Sequence, residues 1–196
     1  MSAASARPPP LADGRRQRGE DNRARIVAAM LEIVHSGDLS PSAEQVAQRA
    51  EVGLRTVFRH FQDMESLYRE MSAAIEGELW AVVERPFRSE DWRERVIELI
   101  ERRSEAFEKA GPYLRATTIV RYRSKVLEAD YARMTALMKE ILRRQLPPAV
   151  ARDQLKVEIL DLLLGFESWS RLRREQGLSP KLARQTLEAA VRRLLD

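Results

Sequence analysis

Apolar residues recur along this chain at intervals of three and four, and nowhere do they alternate with polar ones over a useful length. That periodicity predicts helices and no sheet. Over residues 21–36 the apolar positions Ile26, Met30, Ile33 and Val34 share one helical face, and Gly37 follows as a stop. Ser42-Ala43-Glu44-Gln45 reads as a capping box: the Ser hydroxyl caps the first amides and the Gln side chain reaches back. It opens a short helix to about residue 50. The next helix covers 54–61. Asp63 caps a longer one to about residue 84, where Arg85-Pro86 breaks it. Ser89 or Asp91 starts a further helix, which Gly111 and Pro112 are expected to end. Segments follow over about 112–125 and 127–145, closed by Pro147-Pro148. The last two helices are expected over about 151–176 and 179–195, with Gly177 as a stop and Ser179-Pro180 as N-cap and first helical residue. The sum is an all-α chain of about nine helices without internal repeats.

Residues 1–20 lack this periodicity and are rich in Ala, Pro and Arg. They are expected to form a flexible arm with Arg15, Arg16 and Arg18 near its end. Such an arm is either a solubilising tail or a basic segment that touches nucleic acid. The organisation is then an arm over 1–20, a small N-terminal domain over 21–66 and a helical domain over 67–196.

Composition narrows the function classes. A chain of 196 residues with 44% hydrophobic and 33% charged residues can bury a core and is not of the disordered type. The net charge of +4 is compatible with a polyanionic partner. There is no Cys, so disulfides, thiolate nucleophiles and Cys-bound zinc are excluded. The longest apolar run, residues 26–31, is far short of a membrane span. Residues 1–20 also lack the apolar core of a signal peptide. No membrane association is expected, and the location is read as cytoplasmic.

The stretch VGLRTVFRHF, residues 52–61, carries the most information. At about 100° per residue, Leu54, Val57, Phe58 and Phe61 fall in one arc, which should dock the helix on its neighbours. Arg55, Thr56, Arg59 and His60 fill the opposite arc. No carboxylate occurs between Val52 and Gln62. The preceding helix, the turn Glu51-Val52-Gly53 and this helix have helix-turn-helix proportions, with Val46, Ala47, Ala50, Val52 and Val57 at the seam. A short helix needs such support. Arg55 and Arg59 can bond guanine edges in pairs or clamp phosphates; Thr56 and His60 can donate to phosphate. The helix start capped by Ser42 can receive a phosphate too.

Residues 21–71 resemble the DNA-binding domain of the tetracycline repressor (TetR) family of bacterial transcription regulators. The matching residues are Ile26, Ala29, Gly37, Ser42, Val46-Ala47, Val52, Arg55-Thr56-Val57-Phe58, His60-Phe61 and Glu65-Ser66-Leu67. The resemblance implies an all-helical chain whose third helix enters the major groove and whose C-terminal part binds an effector and dimerises. The implied DNA-contacting set is Ser42, Leu54, Arg55, Thr56, Phe58, Arg59 and His60, with Arg15, Arg16 and Arg18 from the arm. The partners implied are a palindromic double-stranded operator, a second copy of the chain and a small-molecule effector, and the usual role is repression. Glu51 stands where the family has Gly, a position that strains Glu if the backbone there is left-handed.

Residues 89–196 carry weaker signals. Leu160, Leu163, Leu164 and Phe166, then Leu187, Val191, Leu194 and Leu195, form apolar rows on the last helices. They serve either as core or, as the resemblance implies, as a four-helix dimer interface. Trp80, Phe107, Tyr113, Tyr122, Met134, Met138 and Trp169 are candidates to line a cavity, which would suit an apolar or aromatic effector.

Two rivals remain open. Glu32-Ile33-Val34-His35 is an E-x-x-H on a helix, but di-iron bundles need two such units, and Thr56 and Val57 precede the only other histidine. No glycine-rich phosphate loop or hydrolytic set can be assembled, so no catalytic residue, metal or cofactor is expected. The second rival is a helical protein-interaction module without a DNA role.

Overall fold

A computed structural model describes residues 12–83 and 85–196, without the side chains of residues 12–15, 78, 79 and 81. Of the arm expected over residues 1–20, residues 1–11 and the Arg15 side chain lie outside the described residues, while residues 12–20 are helical. The rest is all-α: ten α-helices, one π-helical turn and no strand among the described residues. They are α1 (Ala12–His35), α2 (Ala43–Arg49), α3 (Leu54–His60), α4 (Met64–Val83), α5 (Trp92–Arg121), α6 (Lys125–Arg143), α7 (Pro148–Ala151), α8 (Gln154–Leu163), α9 (Phe166–Ser170), the π turn Arg171–Glu175 and α10 (Pro180–Leu195). The chain divides into two compact units, Met1–Met71 and Ser72–Asp196, with the division inside α4.

In the first unit α1 starts at Ala12, well ahead of the start at residue 21 that apolar spacing predicts. Polar pairs one turn apart extend it: Arg16 Nε donates to Glu20 at 3.0 Å and Gln17 Nε2 to Asp21 at 3.1 Å. Such a segment is helical without an apolar stripe. From Ile26 onward α1 buries Ile26, Met30, Ile33 and Val34, and it packs on α2 and α3; Val46, Val57, Phe61, Leu67 and Met71 are buried in the same unit. Gly37, at φ 110, ends α1 in a Schellman turn: its amide bonds the carbonyl of Val34 and the amide of Asp38 bonds that of Ile33. Asp63 caps α4 by accepting the Ser66 amide at 2.8 Å.

The second unit departs from expectation in two places. Gly111 and Pro112 do not end α5, which runs through both to Arg121. Proline removes one intrahelical bond, but Ala106, Ala110, Gly111 and Ala116 are all buried along this stretch, and continued burial outweighs the local break. The stretch 151–176 is not one helix. Asp153 caps α8, and the chain turns at Leu164-Gly165 before α9. A Cβ on Gly165 would lie 3.3 Å from the Leu162 carbonyl oxygen and 3.4 Å from that of Asp161, so the turn is tight enough to favour glycine.

The core of this unit collects Val96, Leu99 and Ile100 of α5, Leu142, Val157, Leu160, Leu164, Trp169, Leu187, Val191 and Leu195. Leu163 and Leu194 pack against it, partly buried. Of the rows nominated for a dimer interface, Leu160, Leu164, Leu187, Val191 and Leu195 are buried in this core, while Leu163, Phe166 and Leu194 keep part of their surface exposed. The exposed apolar residues of these helices are others: Leu155, Ile159 and Leu162 on α8 and Leu182 on α10. Arg102 is buried and holds the start of the unit together. It bonds Glu98 at 2.6 Å, the carbonyls of Val83, Arg85 and Pro86, and lies 4.1 Å from the centre of the Phe87 ring.

Candidate nucleic-acid interface and ligand cavity

The capping box forms as the sequence spells it. Ser42 Oγ accepts the Gln45 amide at 3.3 Å and Gln45 Oε1 accepts the Ser42 amide at 2.6 Å. Gln45 also donates to Asp38 at 2.9 Å, which fixes the entry into α2. Glu44, in the first turn of α2, is held below the usual carboxylate range by the amide of its own backbone and then by the Ser42 hydroxyl.

The turn after α2 is a second Schellman motif. The Val52 amide bonds the Ala47 carbonyl at 3.0 Å and the Glu51 amide bonds that of Gln48 at 3.2 Å. This geometry requires a left-handed residue at its centre, and Glu51 supplies it at φ 54. Glu51 is the one non-glycine residue with positive φ among the described residues.

On α3 the outward face is rotated from the one the wheel predicts. Val57 and Phe61 are buried, at 1% and 2% exposure, but Leu54 and Phe58 are not, at 37% and 47%. Thr56 and His60 are instead half-buried, while Arg55 and Arg59 are exposed. The wheel treated all four apolar residues as docking anchors. The packing uses Val57 and Phe61 and leaves the flanking arc of Leu54 and Phe58 outside. The exposed face is therefore mixed: two arginines beside one aliphatic and one aromatic side chain. All four fall within about 140° at helical spacing.

His60 closes the helix from the inner side. Its Nε2 is buried without a hydrogen-bond partner. Burial, then the charges of Arg59 and Arg23, push its pKa below the ordinary 6.5. Arg16 and Arg18 lie exposed on α1, Arg16 paired with Glu20.

In the second unit a cavity of about 340 Å³ opens between α5, α6, α8 and the start of α9. Of the residues nominated from sequence, Phe107, Met134 and Met138 line it. Tyr113 lines an adjoining crevice of about 30 Å³ that shares Leu114, Tyr131 and Met134 with the cavity. Tyr122 does not belong: it is 73% exposed, beside Arg121. Trp169 is core, 2% exposed, with its indole N–H on Glu108 at 2.9 Å. Trp80, on α4, touches neither space. Phe166, proposed for a dimer interface, lines the cavity and meets Phe107 edge-on with ring centres 5.5 Å apart.

Sequence reasoning missed the polar wall: Arg103, Glu158, Asp161 and Glu167. Arg103 is buried, which draws its pKa down to about 10 despite the charge of Asp161. It bonds the carbonyls of Met138 at 2.6 Å and Leu164 at 3.2 Å. The signal available was Asp161 and Glu158 three apart on a helix otherwise read for its leucines. No group of three or more metal-type ligands occurs among the described residues, and no described helix is long and apolar enough to cross a membrane.

No protein-family profile matches the chain, and no curated protein matches it. Solved structures do share its fold. One is SCO7518 from Streptomyces coelicolor A3(2), a presumed transcriptional regulator, 22% identical, with a TM-score of 0.61 over 87% of this chain and 98% of that one. Another is the multidrug-binding protein EbrR in complex with imidazole, 20% identical, with a TM-score of 0.59 over 88% of this chain and 94% of that one. At these identities the likeness establishes a shared all-α fold.

Proposed function

We propose that the chain is a transcription regulator of the TetR type, a ligand-responsive repressor that binds a palindromic operator as a homodimer. The outward face of α3 carries this reading. Leu54, Arg55, Phe58 and Arg59 stand exposed on a helix pinned by Val57 and Phe61, and the residues from 52 to 62 hold no carboxylate. Arg55 and Arg59 offer bidentate donors to guanine or clamps for phosphate, and Leu54 and Phe58 offer apolar contact to thymine methyl groups. In the two-fold dimer the paired α3 helices enter successive major grooves about 34–36 Å apart. The description of SCO7518 as a transcriptional regulator and of EbrR as a multidrug-binding protein is in keeping with both halves of the proposal. The cavity of the second unit is the effector site, and α4, which runs from one unit into the other, is the connecting lever. An effector shifts the two states only by its differential affinity for them.

The dimer is assigned to the exposed row Leu155, Ile159 and Leu162 with Leu182 rather than to the leucines first nominated. The experiment is selection of bound sites from random DNA, followed by gel shifts across salt. A palindromic site and a steep loss of affinity with salt are expected. Failure to bind any duplex at low salt would overturn the reading in favour of a protein-interaction module.

A further inference from the structure

We propose that the cavity of the second unit selects an amphipathic organic cation, with Asp161 as its counter-ion. The inference deepens the effector reading and rests on it only for the consequence on DNA. The body of the cavity is apolar: Phe107, Leu114, Met134, Met138 and Phe166 supply most of its wall. Three carboxylates and one cation complete it. Two of the carboxylates already have partners. Glu158 takes Lys139 Nζ at 2.5 Å, and Glu167 accepts the Tyr131 hydroxyl. Asp161 is left without a hydrogen bond among the described residues; its nearest cation is the same Lys139, 3.9 Å away. It is half-buried, and burial raises its pKa against the pull of Lys139 and Arg103. A carboxylate in that position gains most from a cationic ligand that displaces little water.

The one cation of the wall does not make this an anion site. Arg103 is buried, and its two terminal nitrogens are occupied by the carbonyls of Leu164 and Met138. Two of its five N–H donors are taken by these carbonyls, and Nε is buried without a partner. An anion would meet one guanidinium and face three carboxylates. A cation gains Asp161 and the aromatic rings of Phe107 and Phe166 in the wall, and aromatic rings attract cations; the Tyr131 ring already carries Arg121, 3.7 Å from its centre. The shape of the wall therefore favours an aromatic or aliphatic body with one protonated nitrogen over a neutral or anionic ligand of the same body.

The test is a charge series on one body: 1-naphthylmethylammonium, 1-naphthylmethanol and 1-naphthoate, titrated calorimetrically into the full chain and into Asp161→Asn. The ammonium should bind about tenfold more tightly than the alcohol, and the carboxylate more weakly than either. Asp161→Asn should remove that preference while leaving the alcohol's affinity unchanged, a result that also certifies the fold of the variant. If naphthoate binds best, if no member binds, or if the ammonium-to-alcohol ratio survives in a variant that still binds the alcohol, the proposal is overturned. Should Asp161→Asn not fold, the charge series on the unaltered chain decides alone. A gel shift with the ammonium present is read separately. Binding without release from DNA leaves the ligand class standing and removes only its regulatory consequence.

Discussion

The guanidinium of Arg23 grips the Glu70 carboxylate with two hydrogen bonds, at 2.7 and 3.3 Å. The same group donates to the carbonyl of His60 at 2.9 Å and lies 4.5 Å from the centre of the Phe61 ring. One side chain of α1 thus ties the last turn of α3 to α4, and so sets the pose of the helix that carries Arg55 and Arg59. Both charged partners are about two-fifths exposed, so water screens the pair. A double-mutant cycle of Arg23→Ala and Glu70→Ala, read by chemical denaturation, should give a coupling of about 0.5–1 kcal/mol. Arg23→Ala alone should cost more, because the His60 carbonyl and the Phe61 ring lose their partner as well. A single substitution at Arg23 no costlier than that at Glu70 would show the carbonyl and ring contacts to be idle.

Glu51 occupies a backbone region that costs an L-residue roughly 1–2 kcal/mol. The Schellman bonds to Ala47 and Gln48 hold it there. Glu51→Gly removes the strain and adds back some unfolded-state entropy, so a net gain of up to about 1 kcal/mol is expected. Glu51→Val, β-branched at φ 54, should instead destabilise. Urea midpoints of the three proteins check the order Gly, Glu, Val; a Val variant as stable as the parent would contradict the assigned turn.

The parts of the fold that were legible in the sequence are those where local chemistry decides. The Ser42–Gln45 box, the Asp63 cap and the Gly37 stop are each set within a few residues, and each stands where the sequence puts it. What was not legible depends on neighbours distant in the chain. Pro112 looks like a stop until the buried faces of Ala110 and Ala116 carry α5 past it. Leu54 and Phe58 look like anchors because a wheel sorts residues by polarity, whereas the packing partner is reached through Val57 and Phe61 alone. The polar wall of the cavity was hidden for the same reason: Arg103 and Asp161 come from helices 58 positions apart in number, and periodicity carries no information about which faces meet.

Arg55 and Phe58 separate two kinds of DNA contact. If Arg55 reads a base, Arg55→Ala should cost about 1–3 kcal/mol on the selected operator and relax preference at one position. Phe58→Ala should lower affinity by removing an apolar contact while leaving the salt slope unchanged, because no phosphate charge is neutralised by a phenyl ring. Competition gel shifts against single-base variants of the operator measure both. Intact affinity in Arg55→Ala would remove it from the readers.

His60 gives the first unit a predictable response to acid. Its folded pKa lies below 6.5 because of burial first and then the charges of Arg59 and Arg23. The unfolded chain therefore binds this proton more readily, and stability rises with pH between the folded value and 6.5. The contribution is complete above 6.5 and is lost as pH falls through the folded value. The urea midpoint of the chain should drop on acidification from pH 7, and His60→Gln should flatten that drop. Equal slopes in the two proteins would place the acid sensitivity elsewhere.

The apolar surface of α8 decides between core and contact. Leu155, Ile159 and Leu162 recur at four and three residues and are 77%, 43% and 67% exposed. They form a single stripe on the side of α8 away from Leu160, which is wholly buried. A stripe of three large apolar side chains on one face is more than scattered surface exposure and marks a contact surface. α8 packs on α10 within the unit, and Leu182, 48% exposed, adds an apolar position on that second helix. Leu162→Glu should therefore convert the proposed dimer to monomer in sedimentation equilibrium while leaving the helical content intact, because the residue is 67% exposed and only edges the cavity of its own unit. Leu160→Ala should do the opposite, lowering stability by about 2–5 kcal/mol through the cavity it leaves without changing the assembly of the folded fraction, when both are compared at one protein concentration. A Leu162→Glu protein that sediments like the parent would mean that the two copies meet on another face, and that the exposed stripe of α8 serves some other partner.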